Sequence, residues 1–98
     1  MAAPTLLETL PDGRLLWEVV LDLYYQVEGS RAYRYTTRDA RPGGSVAVQP
    51  VSVEGRGSPV YVDTRLIVHC RGCMTGHCVH ADLARAHLAH QAALPKAA

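Results

Sequence analysis

Between residues 15 and 27 every odd position is apolar (Leu15, Trp17, Val19, Leu21, Leu23, Tyr25, Val27), while Glu18, Asp22 and Gln26 fall on even ones. A period of two marks a strand with one buried face. Arg14, Glu18, Asp22 and Gln26 are also four apart, the spacing of a helical stripe. The Trp, Val and Tyr content and the turn before the segment decide for a long, bent strand. That turn is Leu10-Pro11-Asp12-Gly13-Arg14. Pro presets the first turn dihedral, Asp bonds back to its own backbone, and Gly supplies a positive φ. It joins residues 6–10 to the longer run as a hairpin.

Further strands follow in the same manner. Glu28-Gly29-Ser30 reads as a turn, and residues 31–38 alternate through Tyr33, Tyr35 and Thr37. Arg41-Pro42-Gly43-Gly44 ends that strand. Residues 45–54 resume with Val46 and Val48 on one face and Val51 and Val53 on the other. Pro50 between them predicts an edge position or a bulge, because it cannot donate to a ladder. Gly55-Arg56-Gly57-Ser58-Pro59 turns the chain again, and residues 60–68 form a last strand. Short segments punctuated by Gly and Pro predict an antiparallel meander. From Val79 the texture changes to strong helix formers with no β-branched residue between Ala81 and Leu94. Pro95 stops that helix. Val79, Leu83, Ala86 and His90 form its predicted apolar stripe, with His87 and His90 partly exposed. The fold class is therefore α+β: a small antiparallel β-meander, a short cysteine-bearing knuckle and one C-terminal helix. One domain, 1–98, is expected, with sheet over 5–69 and knuckle plus helix over 70–94.

The candidate chemistry lies between sheet and helix. Cys70-Arg71-Gly72-Cys73-Met74-Thr75-Gly76-His77-Cys78-Val79-His80 holds all three cysteines and two of the five histidines. C-x2-C-x4-C-x-H offers four soft or borderline ligands, the donor set of one structural Zn²⁺ with no open position. An iron–sulfur cluster or three free thiols are the other uses of such residues. Cys78 and His80 would point about 200° apart on a regular helix. They share an ion only if Cys78 precedes the helix and His80 lies in its first turn. A competing set is Cys70, Cys73, His87 and His90, which resembles a C2H2 finger but leaves Cys78 and His80 unexplained. His69 and His77 are substitutes for His80.

The order of strand, cysteine pair, glycine-containing loop and Cys-x-His opening a helix resembles the SWIM zinc finger over residues 60–92. Here the first cysteines are separated by two residues where that family has one, and the loop is short. The resemblance implies Cys70, Cys73, Cys78 and His80 as ligands, and a class associated with DNA binding and protein interaction.

An odd cysteine count precludes a closed disulfide framework and points to a reducing, cytoplasmic setting. No signal peptide is apparent at the start, and no apolar run approaches the ~20 residues of a membrane span. Net charge is +1, yet residues 1–28 carry five acids against Arg14 and residues 29–98 net positive. Such asymmetry predicts a basic surface facing an acidic partner. Arg31, Arg34, Arg38 and Arg71 with Tyr33 or Tyr35 are the candidate nucleic-acid contacts, guanidinium for phosphate and phenol for base. Enzymatic signatures are missing: no His is followed two positions later by Glu, as a zinc deaminase requires. A non-enzymatic accessory factor binding DNA or RNA is expected, with no small-molecule substrate. The alternative is a protein-interaction adaptor or inhibitor, docking through a sheet edge or through the helix face around Leu83 and Leu88.

Overall fold

The computed structural model describes residues 3–22, 30–41, 44–51 and 58–94, with backbone only at 21, 22, 30 and 31. Six strands run in chain order as a fully antiparallel sheet: β1 (Thr5–Thr9), β2 (Leu15–Asp22), β3 (Ser30–Arg41), β4 (Ser45–Pro50), β5 (Val60–Asp63) and β6 (His69–Cys70). One helix, α1 (Val79–Ala93), closes the chain. The architecture is the expected α+β meander with a single C-terminal helix and the cysteine cluster between.

The first hairpin forms as its residues dictate. Leu10 N–H donates to the Arg14 carbonyl (2.8 Å) and Gly13 N–H to the Leu10 carbonyl (2.9 Å). Gly13 takes φ +91°, and the Asp12 carboxylate accepts from the Arg14 backbone N–H (3.1 Å). Period-two alternation then sorts β2, burying Leu15, Trp17 and Val19 while Val20 is exposed. Residues 23–27 of the predicted strand, and the Glu28-Gly29 turn, lie outside the described residues.

Register assigns the two faces. Trp17 pairs with Tyr35, Leu15 with Thr37, Thr37 with Val48, and Val48 with Val60. Val46 pairs with Val62, which pairs in turn with Cys70. These residues form one face, and α1 packs on it through Leu83 and Ala84 to complete the core. The other face carries Glu18, Arg34, Arg38, Ala47, Gln49 and Tyr61, and no described element covers it.

Three expectations are corrected. The strand expected over 60–68 ends at Asp63, where the chain reverses, and returns as the separate short strand β6 so that Val62 faces Cys70. No Gly or Pro marks that turn, so its apolar residues read as strand although Leu66 and Ile67 are 94% and 72% exposed. β4 lies inside the sheet between β3 and β5. Pro50 is tolerated there as the last strand residue, after which Val51 N–H donates to the Arg34 carbonyl (2.9 Å). Residues 52–57 lie outside the description. Finally, α1 buries Ala81, Leu83, Ala84 and His87. His87, expected partly exposed, is only 2% exposed, because it has polar partners waiting in the sheet.

Candidate metal centre

Three elements deliver the four donors. β6 ends in Cys70, whose side chain is fully buried against Val62 and the core. A turn follows, with Met74 N–H donating to the Cys70 carbonyl (2.9 Å) and Cys70 N–H to the Thr75 carbonyl (2.8 Å). Cys73 N–H donates to Cys70 Sγ at 3.4 Å. Met74 takes φ +57°, a left-handed conformation that costs a side chain on the order of 1 kcal/mol. Gly76 is required for another reason: a Cβ there would sit 2.7 Å from the Val68 carbonyl oxygen.

Cys78 is the N-cap of α1, with extended backbone (φ −137°, ψ 172°), and its Sγ accepts from Ala81 N–H at 3.4 Å. His80 lies in the first helical turn. This is the one placement that lets two residues so close in sequence face the same point. The free N–H groups of the helix start also favour negative charge on sulfur. The Cys70, Cys73 and Cys78 sulfurs and a His80 ring nitrogen lie within 4.8 Å of one another. His80 Nδ1 is 3.5 Å from Cys73 Sγ and 3.9 Å from Cys78 Sγ. A tetrahedron with arms of about 2.3 Å to sulfur and 2.0–2.1 Å to nitrogen has S···N edges of roughly 3.6 Å. The two S···N distances bracket that edge, and the group is compatible with one bound ion.

The electrostatics point the same way. The Cys73 thiol is pushed up to about 11, by loss of solvent first and then by the Cys78 and Cys70 side chains beside it. Three thiolates at this distance repel, and a cation among them removes that penalty. Burial lowers the pKa of His80, keeping its imidazole in the neutral form a metal requires, and Tyr35 packs edge-on to the ring at 6.1 Å. All three cysteines are free thiols.

The competing ligand set is not assembled. His87 belongs to a chain of hydrogen bonds running from β2 to α1, buried at Trp17 and Thr37 and reaching the surface at Asp39 and Gln91. Trp17 Nε1–H donates to Thr37 Oγ1 (2.7 Å), and Thr37 Oγ1 lies 2.7 Å from His87 Nδ1. His87 Nε2 meets Asp39 Oδ1 at 3.2 Å, and Gln91 Nε2 donates to Asp39 Oδ2 at 2.7 Å. A carboxylate only accepts, so Nε2 carries the proton, Nδ1 accepts, and the Thr37 hydroxyl donates to it. Every member is satisfied. His90 stands edge-on to Trp17 at 6.4 Å. His77 is exposed, and His69 is half-buried in β6 opposite Asp63.

The predicted nucleic-acid contacts are divided between faces. Tyr35 is only 9% exposed and lies in the core beneath α1, and Tyr33 is half-buried against that core. Tyr35 therefore offers no open ring to a base. Arg34 and Arg38 are exposed on the uncovered face, with Arg34 3.5 Å from Glu18 across the β2–β3 pair. Arg71 is exposed and bound to Asp63 at 2.7 Å. Arg31 has its backbone in β3, and its side chain is outside the description.

Sequence reasoning missed the polar partners of His87, whose separations of 48 and 50 residues leave no local spacing to read. It also missed Tyr61 and Arg65. Among the described residues no helix is long and apolar enough to cross a membrane. No family model, curated protein or solved structure matches this chain.

Proposed function

We propose that this protein is a small, non-catalytic zinc-binding module of a reducing compartment, acting as an accessory factor that binds nucleic acid through the uncovered face of its sheet. Three thiolates and one imidazole are a zinc donor set, and four protein ligands leave no position to activate water. The SWIM-like order of cysteine pair, Cys-x-His and helix supports the same class. The observation that carries the binding half is the distribution of charge on the uncovered face. Arg34, Arg38, Arg41, Arg65 and Arg71 are exposed from β3 to the knuckle, and among the described residues only Arg34 and Arg71 of these are in ion pairs.

The test is titration of zinc-loaded protein into labelled DNA and RNA oligonucleotides over a salt series. Affinity should fall with salt, and replacing Arg34 and Arg38 by Ala should weaken binding across sequences at unchanged zinc content. Each Arg removed should lower the salt slope by roughly one. No binding in the micromolar range at low salt would defeat the proposal. It would favour a protein partner, for which one observation speaks: Leu66 and Ile67 in the β5–β6 turn and Met74 in the knuckle are exposed apolar side chains. The helix face expected to serve that role is turned inward, with Leu83 fully buried.

A further inference from the structure

The ladder between β3 and β4 shifts register between Asp39 and Arg41. In an unbroken strand these two residues would share a face. The bulge sends Asp39, opposite Val46, to the helix side, and Arg41, opposite Ser45, to the uncovered side. Arg41 thereby reaches a groove of about 680 Å³ whose lining includes Ser45, Tyr61, Asp63, Arg65 and Arg71. That volume falls within the roughly 300–1,000 Å³ of small-ligand sites.

The groove is electropositive and partly preorganised. Asp63 takes Nε of Arg71 at 3.0 and 3.1 Å and Nη2 at 2.7 Å, which fixes the guanidinium and leaves Nη1 outside the pair. The same hydrogen bonds hold the Asp63 carboxyl below its ordinary range. Among the described residues Arg41 and Arg65 have no acidic partner, so one carboxylate faces three guanidinium groups. Gly44 leaves room for the stem of Arg41, since a Cβ there would lie 3.2 Å from Arg41 Cδ. Tyr61 is 39% exposed in this groove, and its β4 partner on the same face is only Ala47.

We propose that this groove is a nucleotide subsite for single-stranded nucleic acid, in which Arg41, Arg65 and Arg71 take a backbone phosphate and Tyr61 stacks on the adjoining unpaired base. The inference rests on the nucleic-acid reading above and gives it a strand preference. A base inside a duplex has both faces covered by its neighbours, so a tyrosine in a groove reaches only a base that is free.

The test compares one labelled 12-nucleotide sequence as single-stranded DNA, single-stranded RNA and duplex DNA against the full zinc-loaded chain. Tyr61→Ala should lower single-strand affinity by roughly 5- to 150-fold and leave duplex affinity unchanged, while Tyr61→Phe retains single-strand binding. The double change Arg41→Ala with Arg65→Ala should reduce the single-strand salt slope by about 1.4. Zinc content and melting temperature verify that each variant is folded. Inorganic phosphate, followed by amide shifts at Gly44, Ser45 and Arg71, separates the two layers of the argument. Saturable shifts with no oligonucleotide bound would overturn the nucleic-acid reading and leave an anion seat. Oligonucleotide binding that survives both Tyr61→Ala and the double change would overturn the groove and leave the reading.

Discussion

The helix is fastened to the sheet at two places by different chemistry. At its start, Cys78 and His80 converge with Cys70 and Cys73 on one point, within 4.8 Å. Two turns later, His87 is held by Thr37 and Asp39 of β3 in a chain that begins at Trp17 and ends at Gln91. The first fastening gathers three thiols and a neutral imidazole that become a bond only around a cation; the second is complete within the protein. The first is therefore conditional on metal, and the second on the protonation state of one imidazole.

Metal removal should separate the two most strongly. Structural zinc sites contribute apparent binding energies on the order of 10–16 kcal/mol in small peptides, because no preformed site exists in the unfolded chain. Strong chelator, or Cys78→Ser, should therefore abolish the helical circular-dichroism signal and leave a weakened sheet around Trp17, Val46 and Val62. Unchanged helicity and melting would show the ion to be incidental.

Next in size is His87→Ala. It removes a buried ring and leaves the buried Thr37 hydroxyl proton without its acceptor, while Asp39 keeps Gln91, a loss of about 3 kcal/mol by denaturant unfolding. Zinc content should remain one per chain. Loss of zinc in this variant would return His87 to the ligand set.

The pH dependence sharpens the contrast further. Burial depresses the pKa of His87, partly offset by Asp39, so the unfolded chain binds the proton more readily than the folded one. Stability is then fully present above the unfolded value of about 6.5 and declines as pH falls below it. His80 is shifted in the same direction by burial. Urea unfolding of wild type and His87→Ala between pH 7.5 and 5 should show the smaller slope in the variant. Equal slopes would remove His87 from the account. The smallest effect is expected at Met74→Gly, which relieves the positive φ in the knuckle at some cost in unfolded-chain entropy. A net gain of about 0.5 kcal/mol is predicted, read as a slightly raised melting temperature.

The two fastenings also differ in how far the chain discloses them. Cys70, Cys73, Cys78 and His80 lie within eleven residues, so residue type and spacing suffice to group them, and the helix start at Val79, legible from composition, fits the condition that lets Cys78 and His80 face one point. The strands of the first hairpin were equally legible from Asp12, Gly13 and the alternation through Trp17. His87 reads as partly exposed because its helical neighbours do not reveal that Thr37 and Asp39 stand opposite. The bulge that splits Asp39 from Arg41 likewise leaves no mark in residue type, and with it the groove around Tyr61 was invisible. The turn after Asp63 escaped because residues 64–68 contain neither Gly nor Pro.

The most direct test of the central claim is X-ray absorption at the zinc edge of the purified protein. The account predicts one zinc per chain with three sulfurs at about 2.3 Å and one nitrogen at about 2.0–2.1 Å. A shell of two sulfurs and two nitrogens, or protein without zinc, would contradict it.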